Sequence, residues 1–125
     1  MLSAPNRMRR SEDFRRAIRR GHRSGRASLV VHALTEERRD GVPTPTEPRV
    51  GFVVNRSVGS AVVRNAVQRR LRHLMRDRLA NLPSNALVVV RASPAAADAS
   101  SATLARDLDH ALARALRRAT REPAT

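Results

Sequence analysis

The run ALVVVR at residues 86–91 is nearly continuous in apolar side chains. A strand with one face in water alternates polar and apolar, so this one reads as buried on both faces. A chain built around it needs a sheet with helices packed against it. Two further β-branched runs supply partners: LVVHAL from Leu29 to Leu34, and RVGFVVN from Arg49 to Asn55. In the second, Val50, Phe52 and Val54 share one face and Gly51 and Val53 the other.

Helices alternate with these strands. Ser11 reads as an N-cap, with Glu12 and Asp13 in the first turn, Phe14, Ala17 and Ile18 on one face, and Gly21 as the stop. Residues 22–26 read as a basic turn. Ser60 reads as the cap of the longest helix, from Ala61 to about Leu82, with an apolar stripe of Val63, Val67, Leu71 and Leu74. Pro83 ends it. After the small-residue loop 93–101 comes a last helix from near Ser101, with Leu104, Leu108, Leu112 and Leu116. The predicted fold is α+β: a small mixed sheet with three helices, in the order α-β-β-(β)-α-β-α, with a third early strand left open. It forms one domain over residues 1–125, with a basic arm at 1–10, an exposed Pro-rich loop at 35–48 and a frayed tail at 122–125.

Charge then limits function. The 125 residues carry 25 basic and 11 acidic side chains, a formal net charge of +14, and every basic residue among the 25 is Arg. Such self-repulsion calls for a polyanionic partner. The absence of Cys excludes a thiol nucleophile and Cys-ligated zinc. No apolar stretch is long enough to suggest a membrane span, and the amino terminus lacks an apolar signal core, so a cytoplasmic location and no membrane partner are expected.

The arginines concentrate between residues 55 and 78, at 56, 64, 69, 70, 72, 76 and 78. On a helix, Asn65, Arg69, Arg72 and Arg76 fall opposite the apolar stripe, and Arg64 and Arg70 flank it. Asp77 is the one acid of that polar face, so pairing of neighbouring charges is nearly absent. Planar guanidinium groups match phosphate oxygens and stack on bases. Nucleic acid is favoured over a membrane, because strands need the apolar side as core; spacing alone leaves RNA or DNA open. Catalytic patterns are weak. His22, His32, His73 and His110 are scattered without metal-ligand spacing, and Glu36, Glu37 and Asp40 form at most a poor cation site. No catalytic and no metal residue is assigned.

The run RVGFVVNRSVGSAVVRNAVQRRLR resembles the signature of the bacterial ribonuclease P protein component. The segment from Asn6-Arg7-Met8 to Asp13-Phe14, Gly21, the strand ALVVVRA and the closing leucine helix match the same family, over roughly residues 6–118. Ser60, Ala66 and Gln68 depart from its motif, as does Ser57 in the basic turn; Arg70 and Arg76 are extra cations. The resemblance implies an α–β sandwich with a left-handed βαβ crossover, against the usual preference. It implies an accessory subunit that binds the catalytic RNA of ribonuclease P and the 5′ leader of precursor tRNA. Catalysis and most of the Mg²⁺ would then lie in the RNA, with no obligate protein partner. Carried over, Arg56, Arg64, Asn65, Arg69 and Arg72 are RNA contacts, joined by Arg70 and Arg76. Phe14, Ile18 and His32 are implied to line a leader cleft. The alternative is a structural RNA-binding protein such as a ribosomal one.

Overall fold

A computed structural model describes residues 6–8, 10–36, 41 and 47–122. Its elements are helix α1 (Ser11–Arg20), strands β1 (His22–Gly25), β2 (Leu29–Thr35) and β3 (Arg49–Val53), helix α2 (Ala61–Arg76), strand β4 (Ala86–Ala92) and helix α3 (Ser101–Arg121). The sheet order is β1-β2-β4-β3. The apolar strand β4 is central, antiparallel to β2 and parallel to β3.

Both faces of β4 are covered, as its composition requires. On one side Val88 and Val90 join Leu29, Val31 and Val50 beneath Val67, Leu71 and Met75 of α2 and Leu104, Leu108 and Leu112 of α3. On the other, Leu34, Leu87 and Val89 meet Ala17 of α1 and Met8, with Phe14 and Val53 at the margin. The alternation expected in β3 holds: Val50 and Phe52 face the first layer, and Gly51 and Val53 the second.

Several boundaries differ from the sequence expectation. Residues 22–26 are a strand and its turn, not a turn alone. His22 to Gly25 pair with Ala33 to Val30, and Arg26 N–H donates to the Leu29 carbonyl at 2.8 Å. An edge strand held by backbone bonds needs few apolar side chains, and only Ser24 of β1 is buried. Helix α2 stops at Arg76, where the backbone tightens: Arg78 N–H donates to the Met75 carbonyl at 2.9 Å, and its guanidinium to the Leu74 carbonyl at 2.7 Å. A short 3-10 turn, Leu79–Asn81, and buried Leu82 continue into the core, so α3 rather than α2 is the longest helix. The N-cap of α1 is Arg10, not Ser11, and makes no side-chain cap.

Gly21 ends α1 in extended, not left-handed, backbone (φ −72°, ψ 161°). Space makes it glycine: a Cβ there would lie 2.1 Å from the Ala17 carbonyl oxygen and 3.0 Å from that of Ala33. The end of the basic arm is docked on the open edge of β3. Met8 N–H donates to the Val50 carbonyl at 3.0 Å, and Arg7 bridges Val50 in parallel. The rest of the arm, most of the 35–48 loop with Glu37 and Asp40, and the tail beyond Glu122 lie outside the described residues.

Polar clips fix α3 to the sheet. Asp107, buried, accepts from Ser28 Oγ at 2.6 Å and Ser28 N–H at 3.3 Å, with Arg26 at 3.6 Å. These hydrogen bonds hold its carboxyl below the usual carboxylate range. Thr35 Oγ1 donates to the Ala119 carbonyl at 2.7 Å.

Candidate nucleic-acid interface

The entry to α2 is built by local chemistry. Asn55 accepts from Ser57 N–H at 3.1 Å and caps the 3-10 turn Arg56–Val58. Gly59 has φ 150°, a conformation that side chains resist, and it turns the chain into the helix. Ser60 is the N-cap as expected, accepting from Val63 N–H at 3.4 Å. The turn leaves Arg56 exposed just ahead of the helix.

With Val67, Leu71 and Met75 buried, the opposite side of α2 is forced outward. Asn65, Arg69, Arg70, Arg72 and Arg76 are exposed, as the periodicity requires. Arg64 is half-buried, and its Nε is buried without a hydrogen-bond partner. Ion pairs between described residues engage Arg16, Arg26, Arg49 and Arg78, and none of the α2 guanidinium groups. A depression lined by Asn65, Gln68, Arg69, Arg72 and His73 runs along this face.

That face is continuous with a second feature. Gln68 and Arg72 also line a groove with Arg7, Met8, Phe14, Gly51 and Phe52. Phe14 lies over Gly51, where a Cβ would sit 2.4 Å from the ring, so the glycine makes room for the aromatic ring. The structure therefore joins the α2 arginines and Phe14, which lie far apart in sequence. Phe14 is half-buried, and Ile18, one turn further along α1, is 36% exposed.

His32 is placed differently. It is 3% exposed, on the sheet face that carries α1, paired across strands with Arg23 and Val89. Both ring nitrogens are buried and have no hydrogen-bond partner. Burial first, then the Arg91 and Arg23 charges, lowers its pKa, so the imidazole is neutral at pH 7. On the same face Val30 and Val53 both pair with Arg91, and this row stays half-exposed beyond the reach of α1. Sequence reasoning missed Arg91 and Arg23, although Arg91 is the one charged residue of ALVVVRA. It also missed Gln68 as a link between face and groove. Among the described residues, no three His, Asp or Glu side chains converge as metal ligands.

The family model for Ribonuclease P matches residues 2–116. The ribonuclease P protein component of Streptomyces griseus is 59% identical over 118 residues, covering 93% of this chain and 96% of that protein. The one from a Nocardioides species is 56% identical over 115 residues, covering 91% and 94%. Among solved structures, the Staphylococcus aureus RNase P protein has a TM-score of 0.73 at 23% identity, covering 89% of this chain and 97% of that one. The Thermotoga maritima RNase P protein has a TM-score of 0.68 at 24% identity, covering 86% and 96%. Those structures share the fold. Nothing in these matches supports the ribosomal alternative.

Proposed function

Because the chain belongs to the ribonuclease P protein family, we propose that the arginine face of α2 grips the catalytic RNA while the adjoining groove takes the precursor leader. The chain is an accessory subunit of the ribonuclease P endoribonuclease, which matures the 5′ end of tRNA, and its partners are the ribonuclease P RNA and precursor tRNA. What is proposed here is the division of labour among residues. Arg56, Arg64, Asn65, Arg69, Arg70, Arg72 and Arg76 contact the RNA backbone, where bidentate guanidinium donors suit phosphate oxygens. Phe14 and Ile18 offer apolar surface for unstacked bases of the single-stranded leader, and His32 lies on the same side of the sheet.

The observation that carries this reading is the shared groove. Gln68 and Arg72 line it together with Phe14, so a strand leaving the arginine face enters the groove without crossing a gap. In this reading Mg²⁺ is held mainly by the partner RNA; among the described residues no three His, Asp or Glu side chains converge as ligands. We also place the protein in the cytoplasm, acting as one domain over residues 1–125. No helix of the described residues is long and apolar enough to cross a membrane.

Reconstitution with the cognate catalytic RNA at low Mg²⁺ tests the assignment. The protein should stimulate cleavage and favour leader-bearing precursor over mature tRNA. Phe14→Ala should erode that preference while affinity for the catalytic RNA stays the same. Equal loss for both RNAs would return Phe14 to a purely structural role.

A further inference from the structure

Helix α3 has a second arginine ridge that the reading above does not use. At about 100° per residue, Arg114, Arg117, Arg118 and Arg121 fall on one flank of the helix, beside its buried stripe of Leu108, Ala111, Ala115 and Ala119. Three contacts show where that flank points. Asp107 holds Ser28 at the β1–β2 turn, Arg118 donates to the Arg23 carbonyl at 3.2 Å, and Glu122 lies 3.9 Å from His22. The flank therefore tracks the outer edge of β1. The other flank faces away from it, where Asp109 pairs with Arg78 at 3.1 Å beyond the end of α2.

Arg114, Arg117 and Arg121 are exposed, and none pairs with an acid among the described residues. Of the acids beside the ridge, Asp107 is engaged with Ser28 and Arg26, and Glu122, at the very end of the helix, lies 3.9 Å from His22. Cations near a helix C-terminus complement its dipole, which accounts for Arg118 and Arg121 in the last turn but not for Arg114. The ridge borders β1 and the α2 face borders β3, at opposite ends of the sheet order. Four strands spaced at about 4.8 Å separate them by roughly 14 Å before side chains are counted.

We propose that the β1-side flank of α3 is a second RNA-binding surface, taking the phosphate backbone of a helical segment of the partner RNA distinct from the segment on α2. The protein then bridges two RNA segments across the width of its sheet. This rests on the RNA-binding reading of α2. Arg118 is left out of the test because it also blunts the β1 edge.

The triple variant R114Q/R117Q/R121Q keeps good helix formers at exposed positions. Its affinity for the cognate catalytic RNA is measured across a salt series, beside wild type and R69Q/R72Q. The slope of log K against log salt should shrink by about two to three for the triple variant, close to one per phosphate contact, with an unchanged thermal melt. A wild-type slope for the triple variant and a reduced one for R69Q/R72Q would overturn the second surface alone. Wild-type slopes for both would overturn the α2 reading as well. If poly-glutamate competes for the wild-type ridge as well as an RNA duplex of equal charge does, the surface belongs to an acidic protein and the proposal fails.

Discussion

Arg16 of α1 and Arg49 of β3 are chemically identical to the arginines of α2 and structurally opposite to them. Arg49 donates to Asp13 at 2.9 Å and to Glu36 at 3.1 Å, and Arg16 reaches Glu36 at 2.8 Å and Asp13 at 3.8 Å. This closed quartet ties α1, β3 and the end of β2 together around the buried Asp13 carboxylate. On α2 the guanidinium groups meet no acid among the described residues. Net charge cannot distinguish the two sets; partners can. Where the acids are used inside the fold, the remaining arginines are left with a field that only an external polyanion neutralises.

Removing one member of the quartet should give the largest effect on stability. Arg49→Ala leaves Asp13 buried with only the longer Arg16 contact. A loss of about 3 kcal/mol is expected, typical of a buried pair broken on one side. Urea unfolding measures it. The salt slope of RNA binding by the folded variant should match wild type. Unchanged stability with a lower slope would reverse the comparison and make Arg49 an RNA contact.

Arg69→Ala should do the converse. Its folding midpoint should stay within about 0.5 kcal/mol of wild type, as for exposed sites away from special features. The salt slope for the catalytic RNA should fall by about one. Filter binding over a salt series, paired with a melt, checks both. A wild-type slope would mean that this side chain only faces water.

This contrast was half legible in the sequence. The α2 stripe and its opposed arginines followed from a period of about 3.6, and Val67 and Leu71 are indeed buried, although the stripe runs on to Met75 rather than ending at Leu74. The quartet was not legible. Arg49 sits 13 and 36 residues along the chain from its two acids, and local pattern says nothing of such pairs. Glu36 looked like part of an exposed loop and is instead an internal partner. Strand β1 was hidden for a related reason: its backbone is held by β2, while its side chains are mostly polar. The groove joining Phe14 to Arg72 needed the fold to bring α1 and α2, from opposite faces of the sheet, to the same edge at β3.

His32 adds a third environment, where Arg23 and Arg91 flank a buried imidazole instead of a carboxylate or open water. The imidazole is neutral at pH 7 because burial and both cations oppose its charge. Its folded pKa is below the ordinary 6.5. As pH falls through that value, the unfolded chain takes up a proton that the fold refuses, so stability should fall with acid and be complete above it. His32→Phe removes the titrating group and two buried nitrogens that have no partner. The variant should gain about 1 kcal/mol at pH 8 and lose less stability than wild type between pH 7 and pH 5.5. Urea unfolding at both pH values decides the matter. Parallel profiles would mean that His32 is solvated in solution, and that Arg23 and Arg91 resemble the free arginines of α2 more than a charged wall around a buried ring.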